Sequence, residues 1–306
     1  MTLKLSLPLS ISFVLVVLFS IDTARAGYME VTLLGTGTPK PSIDRFGPST
    51  LIEANGRYFI FDSGRGVSIR LQQAGVALSK IENIFLTHLH SDHISGLSDL
   101  WLTSWIWQRQ HPLQLTGPVG TLALSQHLEL AHQADFSYRT KNTSLNSNFF
   151  PILAKEIVSE GIIYQHNGIK ITAFLVNHYP VEPAYGYRID SGEQSIVISG
   201  DTSFSENLIK HAKGADLLIH EVAAANSELL AGNPRLQKVI SYHTTPKQAG
   251  KIFTATEPKA AVFNHVLLFG ISERTVLEAT RESFNGDVRM GHDLMKIGVG
   301  DELIFY

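Results

Sequence analysis

The 306-residue chain contains no cysteine. That removes disulfides, thiolate metal sites and cysteine nucleophiles, so any bound metal must be held by imidazole and carboxylate. It also lacks an excess of charge of either sign, with 25 Lys and Arg against 28 Asp and Glu. With a formal net charge of -3 there is no overall basic field to attract a polyanion, which argues weakly against a nucleic-acid partner. Low-complexity linkers and short-period repeats are missing too, and past the N-terminal region no apolar run is long enough to span a bilayer. What is present, 44% hydrophobic and 17% charged residues, is an ordinary globular composition able to bury a large core. Among the polar residues, 13 histidines stand out.

The N-terminal residues have the form of an export signal: Lys4, an apolar stretch over 5–19, and the small-residue pattern Ala24-Arg25-Ala26 before Gly27. Cleavage is expected after Ala26, leaving one domain over 27–306, in the bacterial periplasm or secreted. The competing reading is an uncleaved membrane anchor, for which the apolar stretch is short.

From Met29 onward, strands are predicted at 29–34, 49–53 and 58–62, the last two joined by the hairpin signal Asn55-Gly56. A helix over 68–74 and a short buried strand over 81–87 follow, and a helix-like segment covers 94–107. In the second half, strands are predicted at 162–164, 169–176, 184–189, 195–199, 217–221 and 261–264, with helices near 205–212 and 246–254. This alternation implies an α/β fold. Residues 121–150 read as a helix and polar loop beside the core. Trp101 and Trp105 share a helical face that is assigned to the core rather than to a substrate wall.

The most informative segment is Thr87-His88-Leu89-His90-Ser91-Asp92-His93, placed between the buried strand and the helix. Extended backbone directs His88 and His90 to one side, and entry into a helical turn turns Asp92 and His93 toward a second point nearby. One isolated histidine is usually structural, but four ligand-type side chains within six positions point to metal.

His-x-His-x-Asp-His after a strand resembles the signature of the metallo-β-lactamase superfamily, and the similarity runs from about residue 29 to the C-terminus. The resemblance implies a four-layer αββα sandwich. It also implies that a later His, an Asp and a last His complete the site, matched here by His178, Asp201 and His265. His88, His90 and His178 would bind a first ion, and Asp92, His93 and His265 a second, with Asp201 bridging. Two Zn²⁺ ions suit imidazole and carboxylate, and Mn²⁺ or Fe²⁺ stays open on ligand type alone. Such a pair, about 3.5–4 Å apart, can share an attacking hydroxide. Asp62 matches an acidic residue that orients a histidine from behind.

Ile219-His220-Glu221-Val222, Tyr242-His243-Thr244-Thr245-Pro246 and the opening Leu33-Leu34-Gly35-Thr36-Gly37-Thr38-Pro39 look like elements of the ribonuclease Z branch. The resemblance makes Glu221 and His243 a dyad that assists the leaving group, and with Asp92 they form the expected catalytic set. No Gly/Pro-rich basic arm of the kind that tRNA-processing members carry is found in the sequence. Together with the export signal this directs the expectation to an exported, arylsulfatase-like or phosphodiesterase hydrolase of a sulfate or phosphate ester. Its substrate would be a small molecule, with nucleic acid disfavoured. Homodimers are common in the branch, and no stable membrane insertion is expected after signal cleavage. The alternatives are a lactone or β-lactam hydrolase and a ribonuclease Z-type tRNA 3′ endonuclease.

Overall fold

A computed structural model describes residues 27–141 and 143–306. The signal segment expected over 1–26 lies outside the described residues. Among those described, no helix is long and apolar enough to cross a membrane.

The first sheet is built from β1 (Met29–Gly35), β2 (Ser49–Ala54), β3 (Arg57–Phe61), β4 (Asn83–Phe85), β5 (Leu113–Gly117) and β6 (Ile152–Glu156). The second comprises β7 (Gly161–His166), β8 (Ile169–Val176), β9 (Ala184–Ser191), β10 (Gln194–Ile198), β11 (Leu217–Ala225), β12 (Ala260–Phe269) and β13 (Asp287–Met290). The chain then returns to the first sheet with β14 (Lys296–Val299) and β15 (Leu303–Phe305), so that β14 pairs with β1. In the predicted β2–β3 hairpin, Asn55 (φ 48) and Gly56 (φ 72) supply the left-handed pair that a tight two-residue turn requires.

The two sheets pack face to face. Met29, Val31, Phe59 and Phe61 of the first meet Ile171, Tyr187, Ile196 and Ile219 of the second in one fully buried cluster. Each outer face is covered by helices. Leu71, Leu100 and Trp101 pack on the first sheet, and Leu208, Ile252, Phe253 and Val276 on the second. This is the four-layer αββα sandwich. The parallel pairs β10–β11 and β11–β12 are covered on both faces and read as nearly continuous apolar runs.

Several predicted elements differ, among them the strand expected at 261–264, which runs over Ala260–Phe269 as β12. Only Asn83–Phe85 of the strand expected at 81–87 joins the ladder as β4, because Ile81 closes a short 3₁₀ turn and Thr87 leaves for the site. The helix expected over 94–107 is two helices, Ser91–Ile94 and Leu97–Ile106. Gly96 lies at the break, where a Cβ would stand 2.2 Å from Gly64 O, so the backbone there passes too close for a regular helix face. Trp101 and Trp105 are buried and donate from Nε1 to Phe150 O (2.6 Å) and Asn146 O (3.0 Å). The excursion, folded as helices Thr121–Ala131 and Gln133–Lys141, is thereby fixed to the outer core.

Candidate metal centre

All seven predicted ligands converge at one end of the sandwich, six of them just beyond the ends of β4, β8 and β10, and His265 inside β12 rather than at a strand's end as expected. His88 and His90 follow β4, and the extended backbone at His90 (φ -62, ψ 145) gives way to the helix Ser91–Ile94, whose first turn carries Asp92 and His93. His178 follows β8 and Asp201 follows β10. Between β10 and Asp201, Gly200 (φ 61) allows a turn in which any Cβ would stand 2.5 Å from Tyr185 O. His265 is the extra residue of a β-bulge: Glu221 pairs with Asn264 and Val222 with Val266, leaving His265 unpaired at φ 45. Bulges of this kind re-aim a side chain out of a regular strand, and this one turns the imidazole into the cluster.

The donor atoms form two lobes about Asp201. His88 Nε2 lies 2.9 Å from His90 Nδ1, which lies 3.3 Å from His178 Nε2. Asp201 Oδ2 is 3.8 Å from both His88 Nε2 and His178 Nε2, 3.4 Å from His93 Nε2 and 3.1 Å from His265 Nε2. Asp92 Oδ2 stands 3.7 Å from His93 Nε2 and 3.9 Å from His265 Nε2. Tetrahedral zinc ligands at their usual bond lengths place donor atoms about 3.3 Å apart, and the observed separations bracket that figure. Asp92 Oδ2 and His93 Nε2 are buried with no hydrogen-bond partner, an arrangement that costs free energy unless a cation completes it. The residues present therefore fit a divalent pair.

Four of the five imidazoles are fixed from behind. His93 Nδ1 meets Asp62 Oδ2 at 2.8 Å, where sequence reading placed an orienting carboxylate; Asp62 also accepts from Thr87 N and Oγ1. His88 Nδ1 contacts Thr87 Oγ1 (2.9 Å), His178 Nδ1 donates to Tyr242 O (3.1 Å) and His265 Nδ1 to Gly37 O (2.7 Å). Burial pushes the pKa values of His88, His90 and His178 down, which favours the neutral, ligating form. For Asp201, burial works upward, but the His265 and His93 imidazoles hold it well below the usual carboxylate range. Burial opposes charge on His93 as well, yet Asp201 and Asp62 push it well up. The proton these carboxylates favour stands where a cation would replace it.

Glu221 and His243 stand beside the cluster. His243 lies with its ring centroid 5.1 Å from that of His178 and 5.9 Å from that of His265. Glu221 Oε1 accepts from Thr202 N (3.2 Å) and Thr244 N (2.8 Å), leaving Oε2 to face His243 Nδ1 at 3.3 Å. That contact is an ion pair that completes no hydrogen bond. Burial opposes charge on His243, but Glu221 outweighs it and the imidazole is pushed up to about 9. Thr245 caps the helix Pro246–Thr256 through a capping box with Gln248, which fixes the loop that carries His243. His220 is buried against Phe253 with Nδ1 donating to Glu221 O, so it supports the strand. His111, His127, His132, His166, His211 and His292 are absent from the groups able to hold a metal; His211, for one, stacks on Phe174. Sequence reading did not find Tyr242 O, Gly37 O or Asp293 behind the site. The two carbonyls give no side-chain signal, and Asp293 is isolated in sequence.

This fold and this cluster define a divalent-metal-dependent hydrolase of ester bonds with the metallo-β-lactamase fold. Residues 29–265 match the family model described as Anti-Pycsar protein Apyc1. The ribonuclease Z of Mycobacterium sp. (strain KMS) is 34% identical over 275 residues, covering 89% of this chain and 96% of that protein. Among solved structures, the short form of human tRNase Z superposes with a TM-score of 0.67 at 23% identity, over 88% of this chain and 98% of that one. The metallo-β-lactamase fold protein YhfI of Bacillus subtilis gives 0.67 at 20% identity, over 89% and 99%. The chain belongs to the family that this model describes and, with its ribonuclease Z relatives, to the ribonuclease Z-like branch of the superfamily.

These relatives correct two expectations. The arylsulfatase-like, small-molecule reading gives way to the ribonuclease Z-type alternative, and the expectation against nucleic acid falls with it. Net charge misled because it averages the whole surface, whereas ester recognition is set by a few groups at one end of the sandwich.

Proposed function

We propose that residues 27–306 form one hydrolase domain that cleaves a phosphodiester bond of RNA in the manner of a ribonuclease Z, with two zinc ions. His88, His90 and His178 would hold one ion and Asp92, His93 and His265 the other, with Asp201 shared between the two groups. Zinc at such a site supplies Lewis acidity toward the phosphate oxygens and lowers the pKa of the attacking water toward neutrality. Asp92 would accept a proton from that water as the new P–O bond forms, through the carboxylate oxygen that does not face His93 and His265. His243, kept protonated by Glu221, gives a proton to the departing oxygen as the old P–O bond breaks.

The observation that carries this reading is His243 held by Glu221 beside both lobes, in a chain that matches ribonuclease Z over nearly its whole length. The test is cleavage of a tRNA precursor bearing a 3′ trailer by the zinc-loaded protein, beside a cyclic nucleotide and an aryl phosphodiester. RNA cleavage that collapses in His243→Ala supports the reading. Intact RNA beside rapid turnover of either other ester overturns it. For location, the leader-like pattern of residues 1–26 supports export, so the RNA would be met outside the cytoplasm. Cell fractionation with N-terminal sequencing should find a chain starting at Gly27 in the exported fraction; a full-length cytoplasmic chain would exclude export.

A further inference from the structure

His265 sits in the left-handed region at φ 45, which residues other than glycine rarely adopt, and as a bulge residue it lacks a strand partner. Such a conformation persists only where its surroundings over-determine it. Here the surroundings are the loop between β1 and β2. Gly37 O accepts from His265 Nδ1 (2.7 Å), and Thr36 O accepts from Val266 N (3.0 Å).

That loop is in turn closed by one carboxylate. Asp293 Oδ1 accepts from Thr36 N (2.9 Å) and Thr36 Oγ1 (2.7 Å), while Oδ2 accepts from Phe46 N (2.7 Å) and Arg70 Nε (3.0 Å) and forms an ion pair with Arg70 Nη2 (2.9 Å). Thr36 opens the loop and Phe46 lies near its far end, and Gly37 N donates to Phe46 O (2.7 Å) across it. The Asp293 side chain is only 4% exposed and touches neither the cluster nor the dyad. A buried carboxylate with this many donors is one of the stronger fixed points a protein can make.

We infer that Asp293 is a positioning residue for the metal centre: by clamping Thr36 and Phe46 it holds Gly37 O where it fixes the tautomer and direction of the strained ligand His265. The inference rests on the reading of Asp92, His93 and His265 as ligands of one ion. It assigns the two ions different dependence on residues remote from them. The ion on His88, His90 and His178 has no share in the clamp, whereas the one on His265 is held only as firmly as the loop.

The test is zinc binding to the metal-stripped full chain, measured as stoichiometry and by competition with a chelator, for wild type and Asp293→Asn. Asparagine keeps the shape but loses the charge and half of the accepting capacity. The expected result is one ion bound as in wild type and the other weakened about 10- to 100-fold, the range for outer partners of metal ligands. Long-range ¹H–¹⁵N NMR of the His265 ring should show loss of its fixed Nδ1–H form. Thr36→Val removes a single Asp293 bond and repeats the comparison in a chain with the clamp largely intact; a smaller loss at the same ion is expected. Two ions bound as in wild type by Asp293→Asn, or both weakened equally, would overturn the inference. A wild-type chain that binds fewer than two ions would instead overturn the ligand assignment beneath it.

Discussion

Glu221 divides its carboxylate between two tasks: Oε1 is consumed by the backbone N–H groups of Thr202 and Thr244, and only Oε2 is left for His243, 3.3 Å away. The acid that orients the dyad is thus itself immobilised. Replacing His243 by Ala should lower kcat on RNA about 10²- to 10⁴-fold, the usual contribution of a positioned acid. Zinc content should be unchanged. A variant that loses metal together with activity would place His243 among the ligands instead.

In the metal-free protein the same pair links stability to pH. A histidine raised to about 9 against about 6.5 when unfolded binds its proton more tightly in the folded state. Its stabilisation is fully present below about pH 6.5 and is lost as pH rises through about 9. Glu221→Gln should bring the His243 titration, followed by NMR, back toward the ordinary value and remove this share of the pH dependence. An unmoved titration midpoint would mean that Glu221 is not the cause.

Asp201 Oδ2 approaches four imidazoles within 3.8 Å. Asp201→Ala should therefore abolish hydrolysis and weaken both ions together, seen by elemental analysis after dialysis. Chelation of the wild-type chain should also lower its melting temperature. Ligand present at 100 times its dissociation constant contributes about 2.7 kcal/mol to the folded state. An Asp201→Ala protein that still carries two ions would exclude the bridging role.

Trp105 is 1% exposed and packs against Phe136 and Phe150, well away from the ligands. Trp105→Ala should cost about 3–5 kcal/mol in denaturant unfolding while the folded fraction keeps its kcat. A fall in kcat without a fall in stability would show that residues 121–150 act on substrate.

What could be read from the sequence divides along a physical line. His88, His90, Asp92 and His93 announce themselves because a strand end followed by a helical turn places neighbours in sequence around one point. The alternating strand β8 and the apolar run that opens β11 were equally plain. β5, β6, β13, β14 and β15 were missed because they are only three to five residues long, too short for a periodic pattern to stand out. The break at Gly96 was hidden because its cause, the approach of Gly64 O, lies in another loop. Asp293 was hidden for the same reason on a larger scale, since its partner Thr36 is 257 positions away. The substrate class was misjudged because composition reports the average surface and not the site.

The order of the strands has a consequence for the newly made chain. The first sheet opens with β1 but is completed only by β14 and β15, and the loop after β1 is closed by Asp293, which follows β13. A chain still emerging from the ribosome can display every ligand up to His265 and yet lack the carboxylate that steadies the last of them. A product terminated before Asp293 would thus carry the cluster residues without the carboxylate that closes the loop behind His265.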